Sequence, residues 1–154
     1  MLKIPSTSPM QYISSIVALN IHSPEGTGDW HSASSLSENA FPLDFYFYGD
    51  EQKNNTNSLL GKDGIIDGTS RLNSMGYYPS NTPVWIADHP RACLDYLYYA
   101  VLKTGNLGRV VLDEWFPSEI DKQAVYDLLD KITHSLTPEE QHNLTLWKKK
   151  NPIY

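Results

Sequence analysis

Two short runs hold the residue types best suited to chemistry. Gly28-Asp29-Trp30-His31 places an acid two positions ahead of an imidazole, with His22 earlier in the same stretch. An aspartate that orients a histidine is the pattern of a general base working near neutral pH, and His22, His31 and His89 together offer nitrogen ligands for a metal. The second run, Ala87-Asp88-His89-Pro90-Arg91, gathers an acid, an imidazole and a guanidinium, with Asp95 one helical turn beyond Arg91. At a helix N-terminus such a set favours a bound anion. Each run also has a plain structural reading, and that reading is the stronger one. Asp29 and Asp88 suit helix N-caps, Trp30 a core anchor and His31 a polar surface position. Arg91 and Asp95 suit an i,i+4 pair on a helix surface, worth only about 0.3 to 0.5 kcal/mol. No HExxH and no paired Cys/His spacing accompanies them, so neither a metal nor a cofactor is expected.

The remaining motifs are weaker. Cys93 stands mid-helix among apolar neighbours, which suits a small core residue better than a nucleophile. Asp63-Gly64 and Asp67-Gly68 lack the alternating oxygen ligands and closing Glu of a calcium loop, and read as turns. Asn54-Asn55-Thr56 and Asn143-Leu144-Thr145 are glycosylation sequons by type, but the N-terminal stretch has no signal-peptide profile, so a reducing, cytoplasmic location is expected and both sequons are discounted. There is no Gly-rich phosphate loop and no Gly-x-Ser-x-Gly elbow.

The elements that must position these residues follow from periodicity and punctuation. Ser8 to Asn20, with Pro9 at a first helical position and Tyr12, Ile13, Ile16, Val17 and Leu19 on one broad side, predicts a first helix. Asp29 to Ala40 predicts a short second helix, and Phe45 to Tyr48 a short aromatic strand or an aromatic plug under a loop. The polar stretch 51–58 is expected to be a mobile internal loop, and Thr69 or Ser70 starts a helical turn ended by Gly76. Val84-Trp85-Ile86 reads as extended. Asp88 then caps the clearest helix of the chain, which runs to Gly105 and carries apolar residues on nearly every side, as a central buried helix does. Arg109 to Leu112 predicts a further strand. Ser118 caps a helix whose stripe is Ile120, Ala124, Val125, Leu128, Leu129 and Ile132, and Thr137-Pro138-Glu139-Glu140 forms a capping box for the last helix, with Leu144 and Trp147 inward. The fold expected is one predominantly helical α+β domain over residues 1–154, with a buried central helix and a few short strands.

Composition narrows the function. In 154 residues, 40% are hydrophobic, enough for a real core, and the only cysteine cannot form an internal disulfide. The formal net charge of −6 argues against a phosphate-neutralising surface, so direct nucleic-acid binding is not expected. No stretch approaches the ~20 apolar residues of a membrane span. Four Trp and ten Tyr exceed the needs of so small a core and suit a protein interface. The first 60 residues are the more acidic part, with Lys3 and Lys53 against Glu25, Asp29, Glu38, Asp44, Asp50 and Glu51, as suits docking on a basic protein.

Ala18-Leu19-Asn20, Gly28-Asp29-Trp30-His31, Gly64-Ile65-Ile66 and the run Ile86-Ala87-Asp88-His89-Pro90-Arg91-Ala92-Cys93-Leu94-Asp95 resemble a pattern in small bacterial proteins of antitoxin or accessory type, encoded beside toxins. The resemblance spans about residues 12 to 97. Position 88 is Asp where the pattern suggests Asn. It implies a non-enzymatic bacterial protein that binds and inhibits another, the antitoxin of a toxin–antitoxin pair, or else a phage-encoded inhibitor of a defence nuclease. Asp29, Trp30, His31, Asp88, His89 and Arg91 would then be a partner-binding patch or a polar lock between loop and central helix. Two other classes stay open: a small hydrolase or transferase using His31 or His89 as base with Asp29 or Asp88, and a metabolite-sensing domain between the Asp29 loop and the mouth of the helix at Asp88.

Overall fold

A computed structural model describes residues 4–24 and 47–153. Asp29, Trp30 and His31, the helix expected over 29–40 and the start of the Phe45 strand lie outside the described residues. Four short strands form one mixed sheet in the order β2-β1-β4-β3. β1 (Tyr12–Ile13) runs antiparallel to β2 (Phe47–Tyr48) and parallel to β4 (Trp85–Ala87), with Ile13 opposite both Phe47 and Ile86. β3 (Ile65–Asp67) closes the other edge antiparallel to β4, pairing Ile66 with Ile86. Among the described residues helix predominates, so the fold is α+β and mostly helical, with one hydrophobic core. No helix of the described residues is long and apolar enough to cross a membrane.

The central helix is the organising element. α4 (His89–Leu97) begins where β4 ends, and its backbone continues as a π-helical turn over Tyr98–Leu102. Ala92, Cys93, Leu94, Leu97, Val101 and Leu102 are fully buried, as an all-round apolar helix requires. α1 (Ser15–Leu19) and α6 (Glu119–Ile132) both pack on α4, and α7 (Pro138–Lys150) packs on its π-helical continuation. The caps act as their residue types dictate. Asp88 accepts from Arg91 N at 3.0 Å, and Ser118 accepts from Ile120 N at 3.2 Å. Thr137 and Glu140 form a reciprocal capping box. Thr69–Ser74 forms the expected short helix, α3, after the shorter α2 (Asn57–Leu60).

Three expectations are corrected. Ser8 to Asn20 is not one helix: Ser8 and Gln11 exchange backbone hydrogen bonds in a turn, Tyr12–Ile13 is a strand, and only Ser15–Leu19 is helical. Pairing with β2 on one side and β4 on the other outweighs the local helical pattern. Arg109 to Leu112 is not a strand either. A 3₁₀ turn covers Leu107–Arg109 and α5 occupies Leu112–Trp115. The backbone between them is satisfied by α7 and the residue after it, since Val110 O accepts from Trp147 Nε1 at 2.9 Å and Leu112 N donates to Asn151 Oδ1 at 2.8 Å. Finally, Ile120 leaves the stripe of α6 and is 81% exposed, while Val125, Leu129 and Ile132 are buried. In the stretch 51–58, Thr56 is fully buried, for a reason that becomes clear at the site.

Candidate functional site

Asp88, His89 and Arg91 share the first turn of α4 but face three different neighbourhoods. Asp88 is the cap. Its backbone N–H donates to Gly64 O at 2.7 Å, which holds the Asp63-Gly64 turn against the helix mouth. Gly64 has φ +79°, and a Cβ there would lie 2.6 Å from Arg91 Cβ and 2.9 Å from Asp88 Oδ1, so this turn requires glycine. Burial raises the Asp88 carboxyl above the usual carboxylate range, opposed by the hydrogen bond from Arg91 N and by neighbouring cationic groups. His89 is 5% exposed and its Nε2 lies 2.7 Å from Ile21 O. Burial lowers its pKa, so the neutral ring donates from Nε2 to that carbonyl. The contact ties the end of the α1 segment to the start of α4.

Arg91 turns inward and is fully buried. Its Nε donates to Asp95 Oδ1 at 3.1 Å, and Nη1 donates to the carbonyls of Gly61 and Asp63. Nη2 donates to Tyr12 Oη at 3.1 Å, Thr56 Oγ1 at 3.0 Å and Asn57 Oδ1 at 2.9 Å. Asp95, also fully buried, accepts at Oδ2 from Tyr12 Oη and Ser14 Oγ, both at 2.7 Å, and at Oδ1 from Thr56 Oγ1 at 2.5 Å. The expected surface pair is thus a buried, multiply bonded ion pair. The pairing i,i+4 is correct, but the low surface energy does not apply, because loss of either partner would leave a buried charge. Burial, then the Asp95 charge, pushes the Tyr12 phenol up, in keeping with its role as donor to the carboxylate. Arg91 therefore belongs to a polar lock joining β1, the Thr56–Asp63 segment and α4, and is not a surface contact. Cys93 is buried beside this network with its thiol pushed up by burial, as a core residue should be.

The lock also shapes a second feature that sequence reasoning missed. Ser14, bonded to Asp95, is the last residue before the corner between β1 and α1, and the corner residue Ser15 has φ +61°, a left-handed conformation rare for a non-glycine residue. Ser15 opens onto a cleft of about 350 Å³ whose lining includes Tyr48, Tyr96, Tyr99, Ala100 and Arg109. Tyr99 and Ala100 sit in the π-helical turn after α4. Strained backbone and π-helical turns both concentrate at functional sites. The only sequence signal was the doubled Ser14-Ser15 between apolar residues, which acquires meaning once Tyr12–Ile13 is known to be a strand.

No family model matches the chain, and no curated protein or solved structure is significantly similar to it. Among the described residues, no group of three His, Cys, Asp or Glu side chains is placed to hold a metal ion.

Proposed function

We propose that the protein is a non-enzymatic, protein-binding inhibitor, the antitoxin of a bacterial toxin–antitoxin pair, with a phage-encoded inhibitor of a defence nuclease as the related form. The partner class comes from the resemblance over residues 12 to 97 and the acidic charge, and the engagement of Asp88, His89 and Arg91 in the protein's own architecture favours the polar-lock form of that reading over a partner-binding patch made of these residues. One caps α4, one bonds Ile21 O and one is fully buried against Asp95. A base needs a lone pair within reach of substrate, and the His89 ring, bonded through Nε2 to Ile21 O, is only 5% exposed. A hydrolase built on His89 with Asp88 is correspondingly less supported.

Surface character favours a basic partner. The net charge is −6, and Ile120 stands 81% exposed at the start of α6, with Glu119 and Asp121 as its chain neighbours. An exposed apolar residue on an acidic protein suits a cationic partner surface, where charge steers encounter and the anchor supplies contact. The test is co-expression of the tagged chain with its neighbouring genes, followed by purification and measurement of the complex mass. We expect one basic protein in fixed stoichiometry, whose toxicity or nuclease activity is suppressed in the complex. Recovery of the chain alone at saturating expression of those genes would overturn the reading.

A further inference from the structure

The cleft at Ser15 has a composition that points to a particular ligand chemistry. Its walls are phenol rings: Tyr48 and Tyr99 meet edge to face at 6.0 Å, and Tyr96 lines the same opening. Arg109 is the one charged residue of the lining. Its Nη2 donates to Tyr96 Oη at 3.0 Å and its guanidinium lies 6.0 Å from the centre of that ring. Among the described residues no carboxylate pairs with Arg109, although most of the other ion pairs of this acidic chain are made by lysines. A guanidinium oriented by a phenol at the rim of an aromatic cleft retains donors for an incoming anion. Behind these rings Ser15, itself buried, is held beside Tyr48 at the left-handed corner that Ser14 and Asp95 brace.

We infer that this cleft binds a small aromatic carboxylate, with its ring against the half-buried Tyr96 and Tyr99 and its carboxylate on Arg109. Phenol faces and edges accommodate a planar ring in offset or edge-to-face contact. Arginine accepts a carboxylate through two parallel N–H donors. A volume of about 350 Å³ admits one substituted ring. The site goes beyond the partner-binding reading and does not depend on it, because a chain that captures no partner would still bind the ligand.

The experiment is a titration of the ¹⁵N-labelled full chain with benzoate, and with benzamide as its uncharged counterpart, followed by amide shifts. Benzoate is expected to shift Ser15, Tyr99, Ala100 and Arg109 saturably, and benzamide to bind more weakly. Arg109→Gln, an exposed position, should weaken benzoate by about 10-fold to 100-fold, the usual cost of losing hydrogen bonds to a charged group. Ala100→Leu should fill the cleft and remove binding while leaving distant resonances in place. Equal binding by either variant, benzamide as tight as benzoate, or no saturable shift up to about 20 mM benzoate, a range that reveals even millimolar affinity, would each overturn the assignment.

Discussion

Arg91 Nε and Asp95 Oδ1 meet at 3.1 Å one turn apart in α4, with neither side chain exposed to solvent. The pair is therefore a folding constraint, because the donors and acceptors around it come from two other segments, Tyr12 to Ser14 and Thr56 to Asp63. Asp95→Ala should destabilise the protein by about 3 to 5 kcal/mol, the cost of stranding a buried charge. Arg91→Met combined with Asp95→Leu should cost clearly less than the two single losses added together. Urea unfolding of Asp95→Ala, the two single variants Arg91→Met and Asp95→Leu, and their combination, compared at equal m-values, measures both statements.

Tyr12 is the second bridge of the same network, donating to Asp95 Oδ2 and accepting from Arg91 Nη2. Tyr12→Phe keeps the buried ring and removes only the hydroxyl, so about 1.5 to 3 kcal/mol should be lost, as for other hydrogen bonds to charged groups. Ser14→Ala removes one donor to the same oxygen and is expected to fall at the low end of that range. Chemical denaturation separates these from the larger loss in Asp95→Ala.

These relationships divide what sequence shows from what it conceals. α4, α6 and α7 are legible because cap, apolar pattern and stop are local, as at Asp88, Ser118 and Thr137. The spacing of Arg91 and Asp95 is legible too. Its burial is not, because the groups that solvate the pair are Tyr12, Ser14, Thr56, Gly61 and Asp63, which only the fold brings together. The sheet fails for the same reason, since strands of two or three residues are defined by partners far along the chain. At Arg109 to Leu112 the β-branched run is real, but Trp147 and Asn151 take the hydrogen bonds that a strand would need. The cleft inherits both difficulties, because Ser15, Tyr48, Tyr99 and Arg109 belong to four separate segments.

Asp88 and His89 give opposite pH dependences. Burial raises Asp88, so its folded form binds the proton more readily than the unfolded chain, and its contribution to stability is full below the unfolded value of about 3.8 and lost as pH rises through the folded pKa. Burial lowers His89, so its contribution is full above the unfolded value of about 6.5 and lost as pH falls through the folded pKa. Asp88→Asn retains an N-cap oxygen without the buried charge, and should leave stability at pH 7 equal or higher, whereas Asp88→Ala should lose about 1 kcal/mol. His89→Gln should flatten the decline in stability below pH 6.5. Unfolding free energies measured between pH 3 and 8 check both signs.

Gly64 is where backbone geometry and the polar lock meet. At φ +79°, with Arg91 Cβ 2.6 Å from any added Cβ, Gly64→Ala combines a left-handed strain with a collision against a residue that cannot move without disturbing Asp95. A loss of about 1 to 3 kcal/mol is expected, more than strain alone at an open turn. Gly76 supplies the control, since its φ is +87° and nothing lies within 4 Å of an added Cβ. Gly76→Ala should therefore show the strain without the collision, and the difference in thermal midpoint between the two variants measures how firmly Arg91 is held.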